Sequence, residues 1–72
     1  MLEIIDGVRI TMSKDELDLP HVHASYGSYH GIFSLKTGKV IKGNIPKEKA
    51  INVEHWIVLN EEKLMSRWKR IA

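Results

Sequence analysis

The chain has 72 residues, enough for one domain with a thin core, because a chain of this length buries only about 60 % of the surface that its unfolded form exposes. Its composition, 43 % hydrophobic and 28 % charged, is close to the globular average and excludes a chain that stays disordered. It contains no cysteine, which excludes disulfides and zinc–thiolate sites as sources of stability. We expect a single domain over residues 1–72.

The sequence shows no signal for membrane insertion or secretion. No stretch approaches the roughly 20 apolar residues that span a bilayer. The first residues show no basic region followed by a long apolar run, which a secretion signal requires. We therefore expect a cytoplasmic protein that does not contact membranes.

The net charge of +2 is distributed unevenly along the chain. Residues 1–20 contain five acidic and two basic residues, whereas residues 36–49 contain five lysines and one acid. These five lysines, the candidates for an anion-binding site, are Lys36, Lys39, Lys42, Lys47 and Lys49. Lysine also protects exposed strand edges from pairing with other chains, so a solvated edge is the alternative to a site for polyanions.

The first twenty residues predict a hairpin and then a loop. Asp6-Gly7 separates two apolar or alternating runs, residues 2–5 and 8–12, and supplies the positive φ angles of a tight turn. Residues 13–20 break this pattern, and Pro20 closes the segment too soon for more than about one turn of helix. We therefore expect residues 13–20 to form a loop.

The middle of the chain predicts a second hairpin. Its strands, residues 21–26 and 29–35, are joined by Gly27-Ser28, which suits a two-residue type II′ turn. This turn pairs Tyr26 with Tyr29, and the alternation of side chains along a strand then places the apolar ones on one face. The side chains of His21, His23 and His30 emerge together on the other face.

The last part of the chain predicts a strand and then helix. Thr37-Gly38 indicates a turn into a strand over residues 39–43, so that all strands lie within residues 2–44. Apolar residues then recur at helical intervals over about residues 46–71, with Asn44 as the cap. Asn60 resembles a second helix N-terminus, so either two helices meet there or one helix bends.

These elements predict the α+β class, with a small antiparallel meander of four or five strands packed against a C-terminal helix or helix pair. Each amphipathic layer must bury its apolar side against the other layer. We expect the sheet face formed by Val22, Tyr26, Phe33 and Leu35 to pack against the helical stripe of Val53, Ile57, Leu64 and Trp68.

Five short motifs, in this order and spacing, resemble a known family. They are Pro20-His21-Val22-His23, Tyr26-Gly27-Ser28-Tyr29, Thr37-Gly38-Lys39-Val40, Glu54-His55-Trp56-Ile57 and Leu64-Met65-Ser66-Arg67-Trp68. The family is the small bacterial group catalogued as domain of unknown function 4160, whose activity is unassigned. This chain departs from its pattern at Leu19, where a second proline often stands. Members often look like neighbours of domain of unknown function 2442, in an arrangement similar to toxin–antitoxin pairs.

The candidate site is the group of His21, His23 and His30, and its chemistry leaves three alternatives open. Imidazoles two residues apart on a strand can bind one ion of zinc or another transition metal. A histidine pair can also supply a base and an acid, which suits a metal-free ribonuclease whose lysines offset phosphate charge. The third alternative is hydrogen bonding or contact with a partner. We expect no carboxylate beside these rings and no required cofactor.

Together these features predict a protein-binding module rather than an enzyme. The family resemblance implies that it is one component of a toxin–antitoxin-like pair with a small protein partner. The alternatives are a small RNA-directed enzyme or toxin that uses the histidine cluster, and a metal-binding module built on the same histidines. Self-association into a homo-oligomer and binding to nucleic acid are the alternatives to a protein partner.

Overall fold

The computed structural model describes residues 2–15 and 17–71. These residues form one antiparallel sheet with the strand order β1-β2-β3-β4-β5, followed by two helices. The strands are β1 (Glu3–Ile5), β2 (Val8–Thr11), β3 (His21–Tyr26), β4 (Tyr29–Ser34) and β5 (Val40–Gly43), and the helices are α1 (Lys47–Leu59) and α2 (Glu61–Ile71). The predicted α+β class, with a meander and a helix pair, is confirmed.

Both predicted hairpin turns are present. Asp6 and Gly7 have φ angles of 50° and 81°, which is the signature of a type I′ turn. Gly27 has φ of 58°, as the first central residue of a type II′ turn requires. The second turn pairs Tyr26 with Tyr29 and continues the register along β3 and β4, so the predicted pairing is confirmed.

The core lies on one face of the sheet. Val22 and Phe33 are fully buried there, and Val53, Ile57 and Leu64 of the helices belong to the same apolar cluster. Tyr26 and Trp68 are half-buried and pack against this cluster. The predicted packing of sheet against helix is therefore confirmed, with Trp68 at the margin of the core. Among the described residues, no helix is long and apolar enough to cross a membrane.

Two asparagines predicted as helix caps have other roles. The side-chain oxygen of Asn44 accepts a hydrogen bond from the backbone N–H of His30 at 3.1 Å, and Pro46 instead occupies the N-cap position of α1. Asn60 does separate two helices, but its side-chain amide donates to the carbonyl oxygen of Trp56 at 2.9 Å and so closes the end of α1. Both predictions of capping by a side-chain oxygen were wrong. The Asn44 side chain binds the backbone amide of His30 instead, and the Asn60 side chain binds the backbone carbonyl of Trp56.

The described part of residues 13–20 is an irregular connection, as predicted, and residue 16 lies outside the described residues. The loop returns the chain from β2 to the start of β3. The carbonyl oxygen of Pro20 accepts a hydrogen bond from the backbone N–H of Leu35 at 3.0 Å, which anchors the end of the loop beside β4.

Helix α1 carries apolar residues on its outer side as well as on its inner side. Ala50, Val53 and Ile57 are buried against the sheet. Val58 and Leu59, which follow directly, are 64 % and 83 % exposed. An ordinary surface helix carries polar residues on its outer side, so this helix departs from the usual pattern.

The turn of the first hairpin is tied to α1 by polar contacts. Lys49 Nζ lies 3.1 Å from Asp6 Oδ1, and the Asn52 side-chain amide donates to Asp6 Oδ2 at 2.9 Å. The Lys49 ammonium also lies 4.9 Å from the centre of the Tyr26 ring. The hydrogen bond from Lys49, with that from Asn52, lowers the pKa of Asp6, and the Asp6 carboxylate raises the pKa of Lys49.

The neighbouring positions 57 and 58 test the burial of α1. Ile57→Ala should lower the free energy of unfolding by about 2–5 kcal/mol, because it leaves a cavity in the core. Val58→Ala, one residue further and exposed, should change it by no more than about 0.5 kcal/mol. Denaturant unfolding of both variants checks this, and equal losses for the two would contradict the assignment of faces.

The Asp6 contacts predict a change in acid stability. Because the pKa of Asp6 is lower in the folded state, its stabilising effect is present above its ordinary value of about 3.9 and is lost as the pH falls through the folded-state value. Asp6→Asn should therefore reduce the dependence of stability on pH below about pH 4. Asparagine also tolerates positive φ, so the turn is preserved.

The measurement is thermal unfolding between about pH 2 and pH 7 for the native chain, Asp6→Asn and Asp18→Asn. The last variant removes a carboxylate at another exposed position and is the matched control. An Asp6→Asn profile that parallels the native profile over this range would show that the contacts with α1 do not contribute in solution.

Candidate functional site

The three histidines occupy different environments in the sheet. His21 begins β3 and is fully buried, with its ring 5.1 Å from the ring of Trp68 on α2. His23 is partly exposed, and its ring lies 5.2 Å from that of His21. His30 pairs with Ser25 across the hairpin and is exposed. The register places His21 on the predicted face, together with His23 and His30, but its side chain is buried there because α2 and the loop before β3 cover the start of the strand.

Asp15 joins two of these histidines. Its Oδ2 atom lies 3.1 Å from Nε2 of His21 and 2.8 Å from Nε2 of His23. Its Oδ1 atom accepts a hydrogen bond from the backbone N–H of Leu17 at 2.9 Å. The Leu17 amide, followed by His21 and His23, holds the pKa of the Asp15 carboxyl well below its usual range. This carboxylate is therefore ionised and orients both rings.

Sequence reasoning missed Asp15. We expected no carboxylate beside the histidines, because Asp15 is six residues before His21 in a segment without regular structure. The available signal was local: an aspartate in a loop often accepts a hydrogen bond from the amide two residues on, as Asp15 does from Leu17. That signal fixes the rotamer of Asp15, but only the path of the loop brings it to the histidines.

The protons of His21 are constrained by its neighbours. Its Nδ1 atom lies 2.7 Å from the carbonyl oxygen of Leu19, which can only accept, so Nδ1 carries a proton. Its Nε2 atom faces the Asp15 carboxylate, which is also an acceptor. Both ring nitrogens of His21 therefore face acceptor atoms.

A cleft of about 490 Å³ crosses the face of the sheet opposite the helices. His23 and His30 from neighbouring strands both line it, together with Lys42 of β5. Thr11, Ser13 and Ser25 contribute hydroxyl groups to its wall. None of the described residues that line it is acidic. Its polar side chains can therefore donate or accept protons, and Lys42 adds one positive charge.

The five candidate anion-binding lysines are dispersed. Lys49 is engaged with Asp6 beside Tyr26, and Lys39 Nζ lies 3.9 Å from Glu54 Oε1. Lys42 belongs to the cleft, and Lys36 and Lys47 are exposed. Lys42 therefore lies on the open face of the sheet, whereas Lys39 and Lys49 form ion pairs that involve helix α1.

The outer face of α1, formed by Ile51, His55, Val58 and Leu59, is a second surface of interest. All four side chains are exposed, and Ile51, His55 and Val58 have the spacing of one helical stripe. Val58 lies against the turn before β5, because a Cβ atom at Gly38 would be 3.2 Å from Val58 Cγ2. Val40, two residues after this glycine, is also exposed, at the edge of the sheet.

Comparisons with known proteins give a family and no function. No curated protein and no solved structure matches the chain significantly. The family described as "Domain of unknown function (DUF4160)" matches residues 7–69, which is nearly the whole chain. The match spans all of the motifs from which the resemblance was predicted. The chain therefore belongs to the DUF4160 family.

Proposed function

We propose that this chain is a protein-binding module of the bacterial cytoplasm that holds a small protein against the outer face of α1. The observation that carries the proposal is the exposure of large apolar side chains on the outer side of α1. The inner side of this helix forms the core, while Ile51, Val58 and Leu59 on its outer side remain in water. The outer side of a surface helix normally carries polar residues.

The energetic argument is the cost of leaving these side chains in water. Burying one valine, leucine or isoleucine side chain completely contributes about 1.5–3 kcal/mol. A specific interface of standard size covers roughly 800 Å² of each partner, which is about one sixth of the 4832 Å² surface of this chain. The outer face of α1 supplies the apolar centre that such an interface requires, and Val40 at the edge of the sheet is exposed as well.

The occupant that fits this surface is an amphipathic helix of a small partner protein. The spacing of Ile51, His55 and Val58 gives a ridge along α1, and helices pack by placing such ridges in the grooves of a second helix. The resemblance to toxin–antitoxin-like pairs supports a hetero-partner, with a neighbouring protein of the domain-of-unknown-function 2442 type as the first candidate. This assignment gives the chain a binding role rather than a catalytic one.

Charge introduced on this face should prevent association. Val58→Glu and Leu59→Glu should each abolish the complex formed on co-expression with the 2442-type neighbour, because a carboxylate would be buried in an apolar interface. Glutamate is a good helix former, so α1 itself should persist. Size-exclusion chromatography with light scattering gives the mass of each assembly.

Ser28→Glu adds the same charge at an exposed turn and is the matched control. The proposal requires that the native chain and the Ser28→Glu control form a complex with the 2442-type neighbour, and that the Val58→Glu and Leu59→Glu variants do not. A complex that survives Val58→Glu would contradict it. So would a native chain that forms a stable homodimer lost on the same substitution, because the occupant would then be a second copy.

The cleft favours a second candidate, an RNA-directed enzyme. The Asp15 carboxylate orients the ring of His23, and His30 and Lys42 lie along the same cleft. A general base, a general acid and a cation that stabilises phosphate charge are the groups that RNA cleavage needs.

His30→Ala should then lower cleavage of a short single-stranded RNA by about 10²-fold or more, with EDTA present to remove metal chemistry. His55→Ala, which removes an exposed histidine on the outer face of α1, is the control. No cleavage by the native chain, or an equal effect of the two substitutions, would eliminate this candidate.

A further inference from the structure

Both ring nitrogens of His21 face oxygen acceptors. Its Nδ1 atom lies 2.7 Å from the Leu19 carbonyl oxygen, and its Nε2 atom lies 3.1 Å from Oδ2 of Asp15. The same Asp15 oxygen lies 2.8 Å from Nε2 of His23. A cation bound between this oxygen and the two Nε2 atoms would accept a lone pair from each of them.

We infer that Asp15, His21 and His23 form a binding site for a divalent transition-metal ion, held by Asp15 Oδ2 and the two Nε2 atoms. These three atoms lie within 4.8 Å of one another. Tetrahedral zinc, with bonds of about 2.0–2.1 Å, holds its ligand atoms about 3.3–3.4 Å apart. The separations of 2.8 Å and 3.1 Å to the Asp15 oxygen would therefore widen by about 0.2–0.6 Å, and the separation between the two Nε2 atoms, which is within 4.8 Å, must reach the same value.

The surroundings hold these groups in the orientation that a metal requires. Metal-binding histidines usually donate their other ring N–H to a carbonyl or carboxylate, and His21 donates to Leu19. The Leu17 amide orients the remaining oxygen of the carboxylate. Pro20 restricts the backbone of Leu19, which sets the direction of that carbonyl. Strand β3 carries the two imidazoles, and the loop before it carries Asp15, the ligand whose position must adjust.

The chemistry of the ligands selects the class of metal. Two imidazoles and one carboxylate suit zinc and ferrous iron, whereas calcium and magnesium prefer oxygen ligands throughout. Three protein ligands leave a coordination position for water or a small ligand. A second cleft of about 560 Å³, lined by Asp15, Leu17, Ile32, Ile41 and Lys42, gives access to this side of the site.

Zinc titration of the native chain, after EDTA treatment and removal of EDTA, tests the site by isothermal calorimetry. The expected result is one ion per chain. His23→Ala and Asp15→Asn should each weaken binding by at least about 10-fold. Both residues are partly exposed, so these variants should fold, and circular dichroism checks this.

His30→Ala is the matched control, because it removes an exposed histidine from the same sheet without touching the three ligand atoms. Its affinity for zinc should equal that of the native chain. Native affinity in His23→Ala, or loss of binding in His30→Ala, would overturn the assignment of ligands.

The ring nitrogens of His21 supply an independent outcome. In ring ¹⁵N spectra, the Nε2 signal of His21 should move when zinc is added. An Nε2 signal that zinc does not move would mean that this atom is not a ligand, and the metal site would be rejected. These measurements do not involve α1, so their failure leaves the proposed partner surface untouched.

Discussion

The register of the β3–β4 hairpin determines the face on which each side chain of the central sheet lies. It places Val22 and Phe33 in the core and His23 on the opposite face. A slip of one residue would exchange the two faces, because side chains alternate along a strand. The positive φ angle of Gly27 allows the tight turn that holds this register. The core and the candidate site therefore depend on the same local conformation.

The buried His21 imposes a second constraint, since a buried polar ring must find hydrogen-bonding partners. It finds them in the loop, at the Leu19 carbonyl and the Asp15 carboxylate, while its ring packs beside Trp68 of α2. One side chain thus joins the loop, the sheet and the second helix. Polar contacts to a histidine hold the irregular loop in place, and none of the described residues from 13 to 20 belongs to the apolar core.

Local signals in the sequence were sufficient for most of the fold. Asp6-Gly7 and Gly27-Ser28 specify tight turns through their φ angles, and a two-residue turn fixes the pairing of the strands that it joins. The change from alternating to helical spacing near residue 46 marks the beginning of the helical segment. In each case the deciding interaction lies between residues close in the chain, so the sequence pattern contains it.

The site was less predictable, because its parts meet only through tertiary structure. Asp15 reaches the histidines through the path of an irregular loop, and no periodicity describes such a path. Asn44 and Asn60 carry a side chain typical of helix caps, but each found a competing backbone partner. The alternation of side chains along the strands predicted correctly that all three histidines lie on one side of the sheet. It could not predict the burial of His21, because that burial depends on Trp68, 47 positions later in the chain.

The thin core also explains why two different surfaces remain available on so small a chain. Two short helices cover one face of a five-stranded sheet. The opposite face stays open to solvent except at the start of β3, where the loop and Trp68 cover His21. Helix α1 lies over the core, and no second layer covers its outer face in the described part of the chain. Helix α2 connects the outer face of α1 with the buried histidine. It begins directly after Leu59 and Asn60, and its Trp68 lies beside the ring of His21. A displacement of α2 would consequently alter both the end of the outer face of α1 and the packing of the buried histidine.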